Sequence, residues 1–194
     1  MAVARGEIWF APGVRMVDLD FNDFRFLVDA FRRRVEGFFL DPIDALRGMQ
    51  PAESGLFVSV LACAATIEFL STIESPSRDQ DRIKSWLEAH VPQFREAFGS
   101  KTLAQFFEER YRHHLAHKAY ISLGRLGDFD GIVQVDGGAV TVNPFALSRA
   151  LRSWLVRFSD DLCEGRRDAR AFCHVLRTLF EPEVELARAE QATV

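Results

Sequence analysis

Apolar residues recur along most of this chain at intervals of three and four, the spacing that places them on one face of a helix. Phe24, Leu27, Val28, Phe31, Val35 and Phe38 predict a first helix, capped by Asn22 or Asp23. Arg25, Arg32, Arg33 and Arg34 fall on its other side and read as a solvated face. Asp41-Pro42 predicts a second, short helix, with Asp41 as cap and Pro42 at the first helical position; Gly48 and Pro51 end it. Ser54 to Ser71 is apolar nearly all round, which predicts a central helix buried on several sides. Glu68 interrupts that run on the stripe of Val60, Leu61, Ala64 and Ile67, where a carboxylate needs a donor partner. Arg82 to His90 predicts a further helix, ended by Pro92. Ser100 is expected to cap a long helix from Lys101 to about Tyr120.

The pattern changes at Gly124. Gly124, Gly127, Asp128, Asp130 and Gly131 read as a loop. Ile132–Val135 and Ala139–Val142, joined by Asp136-Gly137-Gly138, then predict a β-hairpin at 132–142. Asn143-Pro144 is again a cap followed by proline, opening a helix to about Cys163 with Phe145, Leu147, Leu151, Leu155 and Phe158 among its apolar positions. A last helix is expected over Asp168–Phe180, followed by an acidic, alanine-rich tail, 181–194, that frays. At the other end, Glu7–Val17 with its Pro12-Gly13 turn reads as a short hairpin or an irregular arm within residues 1–21. No repeat or linker interrupts the chain, so the expectation is one all-α domain over 1–194 carrying a small inserted hairpin.

Composition narrows the function classes. With 48% hydrophobic residues, including 18 Phe, the 194-residue chain can bury a sizeable core, and wholesale disorder is excluded. Its 24 Lys+Arg against 28 Asp+Glu give a net charge of −4, which argues against coating genomic DNA through bulk positive charge. Cys63, Cys163 and Cys173 form no CxxC pair, so neither a disulfide framework nor a cysteine zinc site is expected, and a cytoplasmic setting fits best. Cys163 and Cys173 read as small core residues. No secretory signal stands at the N-terminus. The most apolar run, Gly55–Ile67, reads as too short to span a membrane, and no membrane partner is expected.

Candidate chemistry concentrates between Arg110 and Lys118, where three of the five His fall. On a regular helix Arg110, His114 and His117 lie within about 60° of each other, and Arg112 lies about 140° from His117. Leu103, Phe107, Tyr111 and Leu115 form the adjoining apolar stripe. Three readings are compatible with these residue types. A His can exchange a proton near neutral pH while an Arg fork holds phosphate, a pair able to cleave RNA without metal. His113 and His117 stand at zinc spacing, although the HExxH pattern is absent because position 114 is His. Alternatively, the His and Arg side chains pair with Glu108, Glu109 or other carboxylates on a solvated face. Asp128-Phe129-Asp130-Gly131 matches only a fragment of a calcium loop, and no Walker, GxGxxG or GxSxG motif occurs. Trp9, Trp86 and Trp154 read as core or interface residues.

The run Arg112-His113-His114-Leu115-Ala116-His117 resembles the signature of the HEPN superfamily: an Arg, a polar residue, a few further residues, then a His near the end of a long helix. His113 fills the polar place and His117 the terminal one. The apolar helix ending in Ile67-Glu68-Phe69-Leu70, the hairpin and the Asn143-Pro144-led helix are also similar to small bacterial HEPN-like proteins, and the resemblance spans residues 22–163. It implies an antiparallel bundle of four or five helices and a homodimer whose motif helices meet at one cleft. It further implies a metal-independent endoribonuclease, a toxin or defence effector with an antitoxin or other protein partner, that needs no cofactor. Arg112 would hold the scissile phosphate and His117 would be the general base. His113 would orient the cleft, and Arg110, His114 and Lys118 would add phosphate contacts. The alternatives are a non-catalytic HEPN-like module that binds RNA, a nucleotide or a protein, and a purely structural dimer.

Overall fold

Pro12-Gly13 turns the N-terminal segment back on itself in a computed structural model that describes residues 8–50, 52–76, 81–114 and 124–192, apart from the side chains of 52–54 and 113–114. The protein is mostly helical, with small sheets. Its contacts group into two compact units, Met1–Phe38 with Leu155–Val194, and Phe39–Trp154.

In the first unit, β1 (Trp9–Ala11) pairs antiparallel with β2 (Val14–Arg15), and Gly13 takes the φ of +73° that the turn requires. Phe10, Ala11, Val14 and Met16 are buried, so this segment is a packed hairpin and not a loose arm. Asp23 caps α1 (Phe24–Val35), its carboxylate accepting from the Phe26 amide at 3.0 Å. On the expected apolar face of α1, Leu27, Val28, Phe31 and Val35 are buried, Phe24 is half-buried, and Phe38, beyond the end of the helix, is exposed; the Phe31 ring meets those of Phe158 and Phe172 at 6.0 and 5.4 Å. Arg34 departs from the expected solvated face. It lies over the rings of Phe10 and Phe180 and donates to the Phe10 carbonyl, because a long side chain can bury its stem and delocalised head against aromatics.

The last helix overturns the expectation of a frayed tail. It runs over Ala169–Gln191, past Phe180 and through Pro182. Val184 and Ala187 are buried, and Arg188 donates to the Leu19 carbonyl at 3.2 Å. That packing outweighs the single amide Pro182 lacks. Asp168 caps this helix through the amides of Arg170 and Ala171. Cys163 is exposed and Cys173 half-buried, so neither is the core residue the sequence suggested; both sit on helix flanks that face away from the packed stripe.

In the second unit, a π-helical turn over Glu36–Leu40 leads from α1 straight into α2 (Asp41–Leu46). Leu40 therefore occupies the cap position, and Asp41 lies inside the first turn instead of capping it. The carboxylates of Asp41 and Asp44 take Arg152, each at 2.9 Å. The helix ends two residues before Gly48, and Pro51 lies outside the described residues. The central helix, α3 (Ala52–Glu74), is longer than its apolar run suggested. Gly55 brings it so close to α2 that a Cβ there would strike the Leu46 carbonyl oxygen. Its Gly55–Glu74 stretch is long and apolar enough to cross a membrane by length and composition alone, contrary to the shorter span read from Gly55–Ile67; half of it is buried inside the fold.

α4 (Arg82–His90) follows, and Pro92 begins a short 3-10 turn ending at Arg95. Ser100 does not cap the next helix. Ala97–Phe98 (β3) and Lys101–Thr102 (β4) form a two-stranded turn, and Thr102 caps α5 (Leu103–Phe107) in a reciprocal box with Gln105. A three-stranded sheet then has the order β5 (Gly124–Leu126), β7 (Ala139–Val142), β6 (Val133–Asp136). The hairpin β6–β7 is as expected, with Gly137 and Gly138 both at positive φ in its two-residue turn. The parallel strand β5 lies in what the sequence presented as loop. Asn143 caps α6 (Pro144–Cys163) through the amides of Phe145 and Ala146 while donating to the Phe129 carbonyl at 2.6 Å.

Candidate functional site

Leu103, Ala104, Phe106 and Phe107 bury α5, but the helix does not continue as a regular spiral. Glu108–His114 is a seven-residue π-helical segment. Its i→i+5 turns advance fewer degrees per residue than an α-helix, so the angles drawn from regular spacing do not hold among Arg110, Arg112 and His114. Such segments are rare and recur at functional sites.

Tyr111 anchors this segment. Its side chain is fully buried, stacked on Phe107 at 5.4 Å and edge-on to Phe106 at 6.2 Å. The phenol oxygen lies 2.9 Å from the Arg125 carbonyl and 2.8 Å from the Val140 carbonyl, and it accepts from the Arg125 amide at 3.1 Å. One hydroxyl thus ties the motif helix to both β5 and β7. The same burial pushes the phenol well above its ordinary titration range. Sequence spacing places Tyr111 on an apolar stripe and misses this tie. The available signal is that a buried tyrosine hydroxyl must find partners.

The next residue is Arg112. Its Nη2 lies 2.6 Å from Glu68 Oε1 and its Nε 3.2 Å from Oε2, a side-on bidentate pair. Glu108 Oε1 stands 3.9 Å from Nη1. The Arg112 side chain is 25% exposed and that of Glu68 44%. Glu68 therefore has the donor its position demanded, and the donor is the arginine of the motif. The two carboxylates fix the guanidinium and offset its charge. Glu109 is engaged separately, with both oxygens 2.6 Å from Lys101 Nζ.

Arg110 is partly buried in the same segment. His117 and Lys118 lie outside the described residues, as do the side chains of His113 and His114. Among the described residues no three His, Cys, Asp or Glu side chains gather as a metal group would need. Asp128, read as part of a calcium-loop fragment, receives Arg47 at 3.0 Å.

The face of α3 beside Glu68 is apolar and open. Val58 is 47% exposed, Ala65 is exposed, and Leu61, Ala62 and Phe69 are half-buried, with Phe69 stacked on Phe39 at 6.4 Å. No known family profile, curated protein or solved structure matches this chain.

Proposed function

We propose that this chain is a HEPN-like helical protein that works as a homodimer and cleaves single-stranded RNA without metal. The observation that carries the reading is the placement of Arg112. It stands in a π-helical segment braced by Tyr111, held side-on by Glu68 and partly exposed beside the open α3 face. Val58, Leu61, Ala62 and Ala65 supply apolar surface for a second copy, as exposed patches of this kind do. A two-fold contact there brings two Arg112 side chains toward one groove.

In that groove Arg112 binds the scissile phosphate, exchanging part of its carboxylate contact for phosphate oxygens. His117 takes the 2′-hydroxyl proton. The 2′-oxygen bonds to phosphorus, and the bond to the 5′-oxygen breaks. The 5′-oxygen leaves with a proton from a second imidazole of the dimer, giving a 2′,3′-cyclic phosphate and a 5′-hydroxyl. His113 orients the groove, and Arg110, His114 and Lys118 add phosphate contacts. The test is cleavage of single-stranded RNA in EDTA. The wild-type protein yields cyclic-phosphate ends, and His117→Ala loses at least about 100-fold in rate while keeping its dimeric mass. Equal cleavage by the variant removes the reading.

A second reading rests on the Arg112–Glu68 pair itself. Two carboxylates beside one guanidinium offset its charge and suit a purely structural helical dimer, in which the pair ties α3 to the π-helical segment. It predicts that the wild-type protein neither cleaves nor binds RNA. Saturable binding of single-stranded RNA that Arg112→Ala weakens excludes it.

A further inference from the structure

A pocket of about 350 Å³ opens between the C-terminal end of α3 and the length of α4, at the small end of the range for ligand sites. It is separate from the Arg112 site, and its chemistry is independent of the ribonuclease reading. Two helices build it by simple periodicity. Ser71 and Glu74 face it from α3, and Arg82, Ser85, Trp86 and His90 from α4. Along α4, Arg82 and His90 are eight residues apart, about 12 Å of axis.

The chemistry of the lining is directional. At one end stands the Arg82 guanidinium, steadied where its Nε donates to Ser71 Oγ at 3.3 Å, with the exposed Ser85 hydroxyl one turn further along. At the other end the lining carboxylate, Glu74, is held by His90 Nε2 at 2.6 Å. Between them Trp86, 5% exposed, presents an aromatic wall, and its ring packs against His90 at 4.8 Å and Trp154 at 5.2 Å. The Trp86 indole N–H is buried with no hydrogen-bond partner among the described residues, so it is the ring and not this donor that meets the pocket.

We propose that this pocket binds a small phosphomonoester, with the phosphate at Arg82 and Ser85 and a planar organic group along Trp86 toward His90. The Arg82 guanidinium and the exposed Ser85 hydroxyl, one turn apart on α4, offer a charged and a neutral donor to the several oxygens of one phosphate, while the Ser71 hydroxyl is committed to the Glu68 carbonyl at 2.9 Å. The aromatic wall adds contact that inorganic phosphate cannot use.

The full-length protein is titrated calorimetrically with phenyl phosphate, inorganic phosphate and benzoate. Phenyl phosphate binds saturably and more tightly than either of the others. Arg82→Gln weakens it by about tenfold or more, the loss expected for a charge-assisted hydrogen bond. Ser85→Asp, a change at an exposed position that leaves the packing intact, abolishes it by placing a like charge beside the phosphate. His117→Ala binds phenyl phosphate as the wild type does, which separates this pocket from the RNA site. The proposal is overturned if neither phosphate gives saturable heat up to about 10 mM. It is equally overturned if Ser85→Asp, folded by circular dichroism, binds like the wild type, or if benzoate binds as tightly as phenyl phosphate.

Discussion

At the residue scale, two side chains set the motif helix in place: the Tyr111 phenol and the Glu68 carboxylate. Tyr111→Phe removes the bridge to β5 and β7 and leaves backbone groups of Arg125 and Val140 short of a partner. It should cost about 1–3 kcal/mol, read from urea unfolding. Glu68→Gln acts differently. The pair it weakens is substantially exposed, so stability should change by about 1 kcal/mol or less, while RNA cleavage falls because Arg112 loses its fixed orientation. Burial raises the titration of two acidic groups, the Cys63 thiol and the Tyr111 phenol. Unfolded, these release their protons from about pH 9 and pH 10; folded, they hold them. Their contribution is therefore complete below about pH 8.5 and is lost progressively as pH rises, which urea midpoints measured between about pH 7 and pH 10 will show. The need of Glu68 for a donor was legible from its place on an apolar stripe. Its partner was not, because Arg112 is 44 residues away and periodicity carries no information at that distance.

Among the elements, two of the four caps expected from the sequence stand where it placed them, and the helix ends were the least legible. Asp23, Asp168 and Asn143 each sit where a short polar side chain precedes an apolar run, and each accepts amide hydrogen bonds there. Asn143→Ala should cost about 1–2 kcal/mol, since the same side chain also holds the Phe129 carbonyl. Ser100 and Asp41 have the same chemistry without the role. Ser100 precedes a two-stranded turn whose Thr102 makes the better box with Gln105, and Asp41 follows a π-helical turn that removes the helix start. An acidic, alanine-rich composition suggested that the chain frays after Phe180, yet Val184 and Ala187 keep the helical spacing and are buried. Ending the chain at residue 180 should accordingly lower stability by about 2 kcal/mol or more, measured by urea unfolding against the full length. The strand β5 was hidden because three residues, one of them glycine, pair in parallel with a strand that comes later in the chain.

For the molecule as a whole, the helical character follows from spacing that dominates the sequence, and the small sheets are inserted where glycine breaks it. With a net charge of −4, the proposed RNA binding falls to local cations, and Arg112 is one that the fold holds in place. In the proposed dimer the exposed apolar face of α3 supplies the contact between copies. Val58→Glu or Ala65→Glu should shift the protein to monomer by sedimentation and lower RNA cleavage together with dimer content, if the groove is built from two copies. The decisive experiment is cleavage of single-stranded RNA in chelator by the wild-type protein and by His117→Ala, each read through the chemistry of the product ends. Cyclic-phosphate ends are expected from the wild type, and a loss of at least about 100-fold in the variant with its mass unchanged. Identical cleavage by both proteins, or intact RNA with both, contradicts the assignment of His117 as the base of a metal-free ribonuclease.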